Sequence, residues 1–225
     1  MVSDGKARKI PWYEESGCFP GQKESHELDP ALSSSGAVHM TSSQVYPVEE
    51  DTLLLLRAAQ AECRPGDRVL EVGCGSGHIS TELSRTADVL ATDINPNAVR
   101  AARDLGTEVV RADLFAGICG PFDLVIFNPP YLPTAPDERI GDWLEYALDG
   151  GPDGRAVIAR FIKGVGSVLA PGGRFLLLVS SLTGIREVMD LMEIAGFRAE
   201  EVAGTRIEGE DLVVLRGVRR HYGDH

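Results

Sequence analysis

Lysine is scarce in this chain, with four residues against 18 arginines, and three of the four (Lys6, Lys9 and Lys23) precede Met40. Positive charge is short overall, leaving a formal net charge of -12. That balance disfavours generic nucleic-acid binding, which depends on Lys and Arg neutralising phosphates. The same composition fits either a protein working at high internal salt or a GC-rich genome that exchanges Lys for Arg. Long apolar runs are missing. No stretch approaches the roughly 18 to 20 residues that span a bilayer, and the opening "MVSDGKARKIPW" lacks the apolar segment of a secretory signal, so a cytoplasmic protein without a membrane segment is expected. The cysteines Cys18, Cys63, Cys74 and Cys119 show no CxxC spacing, which indicates neither a zinc site nor a disulfide framework and leaves reduced thiols as the expectation.

What is present is a pattern of alternating elements in a chain of 225 residues, a length that suits one domain with a substantial core. Residues 1–43 carry Gly, Pro, Ser and charge without periodicity and read as a poorly ordered leader, with Met40 as a candidate start. The ordered domain is expected over 44–217, with a tail at 218–225. Helical spacing predicts helices over 49–62, 77–85, 97–105, 155–169 and 184–195. Apolar runs predict strands over 68–72, 88–92, 108–111, 124–127 and 174–180. Two further strands around "EGED" have no helix between them and close the sheet as an antiparallel hairpin. The predicted class is α/β, a doubly wound, mostly parallel seven-stranded sheet of the Rossmann-like kind.

Three acids follow successive strands. After the first comes "LEVGCGSGHIS", where Gly73, Gly75 and Gly77 allow close approach of a ligand to backbone and the next helix aims free amides at it. Taken alone, that string also suits a nicotinamide cofactor or a plain tight turn. Glu71 beside the loop disfavours a diphosphate and suits an ammonium. Asp93, ending the second strand in "TDINP", can accept from both hydroxyls of a ribose, and Asp113 in "RADL" can accept from an adenine amine with Leu114 packed on the ring. A ribose, an adenine and a cationic amino-acid tail together describe S-adenosylmethionine.

The run "DLVIFNPPYLP" then drives a doubly buried strand into a stiff polar corner. Neither Pro129 nor Pro130 has an amide hydrogen, and Pro130 forces Pro129 to be extended, so the corner is held rigidly at the carboxyl edge where α/β proteins keep their chemistry.

With "EVGCGSG", "TDINP", "RADL" and "NPPY" in register, the chain resembles class I S-adenosylmethionine-dependent methyltransferases from about Val45 to Arg216. In that superfamily Asn-Pro-Pro-Tyr marks enzymes that methylate a planar amide or amine nitrogen. "YPVEEDTLLLL" and "ALDGGPDGRAVIARFI" further resemble the HemK-like glutamine methyltransferases, in the compact archaeal and eukaryotic branch that acts on class-1 translation release factors. The resemblance implies that Thr52, Glu71, Gly73, Gly75, Gly77, Asp93, Ile94, Asp113, Leu114 and Asn128 meet the cofactor. It also implies that Asn128, Pro129, Pro130 and Tyr131 meet the substrate glutamine of a Gly-Gly-Gln loop. The side-chain oxygen of Asn128 and the carbonyl of Pro129 would accept its two amide hydrogens, while Tyr131 packs on its plane. A small zinc-binding activator would dock on the edge strand near Glu108–Asp113, supplying its own zinc ligands, since no metal site is expected in this chain.

The nearest rival is methylation of the exocyclic amine of adenine in RNA or DNA, against which the acidic charge and the missing target-recognition segment count. Protein-lysine methylation, a non-catalytic cofactor-binding scaffold and a nicotinamide dehydrogenase rank lower. No histidine is given a role; His78 is expected to be a solvated first-turn residue. Trp12 is unassigned, and Trp143 belongs to either a lid or an amphipathic piece packed on the sheet.

Overall fold

The protein is described from a computed structural model over residues 44–134 and 143–220; the expected leader and Trp12 lie outside the described residues. Helix α1 (Glu50–Glu62) leads into β1 (Arg68–Val72), α2 (His78–Leu83), β2 (Asp88–Asp93), α3 (Pro96–Asp104), β3 (Val109–Arg111) and β4 (Phe122–Phe127). A short α4 (Glu145–Leu148) precedes α5 (Ala156–Val165), β5 (Leu169–Ser180), α6 (Ile185–Ile194), β6 (Phe197–Ile207) and β7 (Glu210–Arg219). The seven strands are ordered β3-β2-β1-β4-β5-β7-β6. Strands β1 to β5 pair in parallel, and β7 runs antiparallel between β5 and β6. The chain order reverses between β1 and β4, so a crevice opens at their carboxyl ends.

Strand β4 shows why its sequence is continuously apolar. Val125 and Phe127 join the core on the α5 and α6 side, with Ile158, Phe161, Val165, Val188 and Met192. Leu124 and Ile126 join the core on the other side, with Leu54, Leu55, Ala58 and Ala59 of α1 and Ile79 and Leu83 of α2. Successive side chains point to opposite faces, and both faces are covered.

Several boundaries differ from expectation for identifiable reasons. The helix expected to reach residue 169 stops at Val165, because the Val168 carbonyl accepts from the Phe122 amide at 2.8 Å and Leu169 pairs with Phe122. Strand β5 therefore begins at Leu169, five residues before the expected 174, with its register shifting between Phe122 and Leu124 on β4. Helix α3 starts at Pro96, which needs no amide partner at a helix start, and the Asn95 side chain caps it by accepting from the Asn97 amide at 2.9 Å. Strand β7 runs to Arg219, beyond the expected boundary at 217, because Arg219 still pairs with Phe197. The hairpin turns at Glu208 and Gly209, both with positive φ, as a two-residue turn matched to strand twist requires.

Cys63 and Cys74 are free thiols, whereas Cys119 is disulfide-bonded rather than reduced as expected. Spacing along the chain does not reveal which sulfurs the fold brings together. Among the described residues, no helix is long and apolar enough to cross a membrane.

Candidate active site

A cavity of about 600 Å³ opens at the carboxyl ends of β1, β2 and β4. Thr52, Glu71, Gly73, Gly75, Asp93, Ile94, Asp113, Leu114, Asn128, Pro129, Pro130 and Tyr131 all line it. Residues 52 to 131 thus converge on one space because parallel strands deliver every one of their carboxyl-terminal loops to the same edge of the sheet.

Of the residues expected at the cofactor, Gly77 alone is not in the lining. It is buried at φ 80°, and a Cβ there would sit 2.7 Å from Ala102 Cβ on α3. Gly77 therefore lets α2 and α3 approach each other closely. Gly73, at φ 65°, does face the cavity, and a Cβ there would stand 3.1 Å from the Phe127 ring.

Asp93 is buried, with Oδ2 accepting from the Gly75 amide at 2.9 Å and Oδ1 from the Asn95 amide at 2.8 Å. Burial raises its pKa, partly offset by these amides. Glu71 is buried too, and its Oε2 accepts from the Ser80 amide at 2.8 Å and from the Ser80 hydroxyl. Burial pushes the Glu71 carboxyl up to about 8 despite those bonds. Asp113 is more exposed and is ion-paired at 2.7 Å with Arg160 of α5, a residue the sequence reading did not single out. An adenine amine meeting Asp113 would share it with that guanidinium.

Among the described residues the lining contains six acidic side chains, Asp51, Glu71, Asp93, Asp113, Glu145 and Asp149, against Arg160 as its one arginine. A diphosphate would be repelled there, whereas a ligand bearing an ammonium, a ribose and a purine finds acceptors for each polar part and Ile79, Ile94 and Leu114 for its apolar faces. The donor set therefore fits S-adenosylmethionine.

The Asn-Pro-Pro-Tyr corner is braced from behind. The Leu132 amide donates to the Leu148 carbonyl at 3.1 Å, and the Gly150 and Thr134 amides donate to the Leu132 and Gly151 carbonyls at 2.9 and 3.0 Å. Gly154 packs so closely that a Cβ there would meet the Tyr131 carbonyl oxygen at 2.4 Å. The Gly-rich stretch is thus a backbone clamp on the corner. Tyr131 is half-buried, and its hydroxyl pKa is raised first by burial and then by the charges of Asp51, Glu210 and Glu49.

The Asn128 side chain is the most informative group. Its Nδ2 donates to Asp51 Oδ2 at 3.0 Å, while its Oδ1 is buried and has no hydrogen-bond partner among the described residues. A buried acceptor left open in a cavity wall is available to a donor that enters the cavity. Asp51 was not foreseen, since an acid in the first turn of a helix ordinarily reads as a partner of the helix dipole.

Two further residues line the cavity. His78 is half-buried and lines the cavity instead of being solvated. Trp143 also lines it, stacked near Tyr146 with ring centroids 5.2 Å apart and with the Arg111 guanidinium 5.6 Å from its ring centre. Trp143 and Glu145 to Leu148 thus form part of the cavity wall, and the preceding residues 135–142 lie outside the described residues.

Residues 44–140 match the family described as Methyltransferase small domain. A Methanocaldococcus jannaschii protein assigned as a protein N5-glutamine methyltransferase is 38% identical over 184 residues, covering 78% of this chain and 92% of that protein. Methyltransferase HEMK2 of Homo sapiens is 34% identical over 191 residues, covering 77% of this chain and 89% of its own. Among solved structures, the E. cuniculi Mtq2-Trm112 complex, described as responsible for methylating the eRF1 translation termination factor, superposes with a TM-score of 0.66 at 32% identity, covering 79% of this chain and 99% of that one. Motif, cavity chemistry and kinship agree, and the chain belongs to the HemK-like family of S-adenosylmethionine-dependent methyltransferases.

Proposed function

We propose that this protein methylates the side-chain amide nitrogen of the glutamine in the Gly-Gly-Gln loop of a class-1 translation release factor. The observation that carries the reading is the buried, unpartnered Oδ1 of Asn128 in the wall of the cavity. A primary amide has two N–H donors, and its nitrogen is a poor nucleophile because the lone pair is delocalised into the carbonyl. Asn128 Oδ1 takes one of those hydrogens, and the rigid backbone carbonyl of Pro129 takes the other. The nitrogen is then held with its lone pair directed at the methyl donor, and such placement contributes several kcal/mol of the barrier. Tyr131 packs on the amide plane and orients it. When bound, S-adenosylmethionine supplies a methyl group already activated by its sulfonium. Thr52, Glu71, Gly73, Gly75, Asp93, Ile94, Asp113 and Leu114 hold it, and Gly77 supports them from behind.

The partner reading follows the same kinship. The E. cuniculi relative is seen in complex with Trm112. Among the described residues, strand β3 is an edge of the sheet paired only with β2, so backbone groups of Val109–Arg111 are available for strand addition by a small zinc-binding activator near Glu108–Asp113. An ordinary solvent-facing edge is the alternative. We place the protein in the cytoplasm, where release factors act.

The test is methyl transfer from labelled S-adenosylmethionine at low and molar salt, with and without the activator. The substrates are the release factor, its Gly-Gly-Ala variant, and total RNA and DNA. Label on the normal factor alone is expected. Label on RNA or DNA with none on the factor would replace the reading with adenine methylation, which the same pair of acceptors also suits.

A further inference from the structure

We infer that Asp51 is a positioning residue that sets which end of the Asn128 amide faces the substrate; the inference rests on the function proposed above and deepens it. A side-chain amide has a donor end and an acceptor end of nearly the same shape, so nothing in the volume of the site decides between its two orientations. One of the two turns the NH2 end towards the substrate, where it would repel an amide N–H. The choice must come from a neighbour.

Asp51 is that neighbour. It lies in the first turn of α1, buried to 4% exposure, with Asn128 on a different element 77 positions away. Every hydrogen bond at its carboxyl group has a donor opposite it. Oδ1 accepts from the Thr52 amide at 2.5 Å and the Thr52 hydroxyl at 3.2 Å, while Oδ2 accepts from Asn128 Nδ2 at 3.0 Å and shares the single Tyr46 hydroxyl proton, 3.3 Å away, with Glu49 Oε2 at 3.2 Å. An ionised carboxylate only accepts, so it binds the NH2 end of Asn128 and turns Oδ1 into the cavity. Donating to a charged acceptor also polarises the amide and strengthens Oδ1 as an acceptor in turn. Asp51 meets no substrate atom in this scheme. It acts through Asn128.

The arrangement also explains why α1 docks where it does. Leu54, Leu55, Ala58 and Ala59 fix the helix against β4 and β5, and that packing brings its first turn to the Asn-Pro-Pro-Tyr corner. The same turn carries Thr52 on the cavity wall, so cofactor contact and substrate orientation are set by adjacent residues.

The test is Asp51→Asn, which keeps the shape but lets the partner donate. At saturating cofactor and release factor, turnover should fall about thirtyfold while the dissociation constant for S-adenosylmethionine stays within about threefold. In an Asn128→Ala background the same substitution should change turnover by less than about threefold, since the group it acts through is gone. An equal loss in both backgrounds, or a loss confined to cofactor affinity, would overturn the inference. A second readout needs no substrate. The chain has three asparagines, Asn95, Asn97 and Asn128, so the side-chain NH2 signals of 15N-asparagine-labelled protein are few. The Asn128 pair, identified by its loss in Asn128→Ala, should carry one downfield proton that moves upfield in Asp51→Asn. An unmoved signal would refute the positioning role. If the wild-type protein leaves the release factor unlabelled, the proposed substrate falls, and the NMR signal still decides the role of Asp51.

Discussion

Asp93 Oδ2 accepts the backbone amide of Gly75 at 2.9 Å, tying the end of β2 to the glycine loop that follows β1. One carboxylate therefore shapes the loop and presents its remaining lone pairs to the cavity. Asp93→Ala removes both effects and should weaken S-adenosylmethionine binding by about thirtyfold or more, the loss of two charge-assisted hydrogen bonds. Turnover at saturating cofactor should change by only a few fold. Isothermal titration and saturation kinetics separate the two.

Asn128→Ala should do the reverse. Cofactor affinity should stay within a few fold, and turnover should drop at least about a hundredfold, roughly 2.7 kcal/mol at the barrier. Equal losses of binding and turnover would show that Asn128 holds the fold of the site and has no part in catalysis.

Gly77→Ala tests the separation of packing from ligand contact. The added methyl group would lie 2.7 Å from Ala102 Cβ, at a backbone φ of 80°. Overpacking and the left-handed backbone together should cost about 2 to 4 kcal/mol of stability. Urea unfolding should register this loss, while cofactor affinity of the protein still folded at low temperature should change little.

Glu71 makes stability depend on pH. Its carboxyl is raised by burial to about 8 in the folded chain, above the ordinary glutamate value of 4.5. Between these values the folded state binds more protons than the unfolded state, so stability falls as pH rises through the window and is greatest at its acid end. Glu71→Gln should flatten the stability profile between about pH 5 and 8. Chemical denaturation across that range checks it, and an unchanged slope would mean that another group is responsible.

The amino-acid sequence by itself determined the order of elements, the doubly wound class and the carboxyl-edge location of the site. Those features depend on local patterns: continuous apolar strands such as Leu124–Phe127, helical spacing, and prolines and glycines whose backbone limits hold in any context. It also marked Glu71, Asp93, Asn128 and Tyr131, because each lies at the end of a strand whose direction the topology fixes. The tertiary structure alone decided the contacts made across distant elements. The pairing of Asp51 with Asn128, of Arg160 with Asp113, and of Gly77 with Ala102 depends on how helices pack on the sheet, and no local signal distinguishes these residues from ordinary helix-start acids, surface arginines or turn glycines. The early end of α5 at Val165 has the same origin, since the Phe122 amide claims the Val168 carbonyl. Backbone preferences act within a few residues, whereas a buried hydrogen bond is satisfied by whichever group the packing of the core delivers.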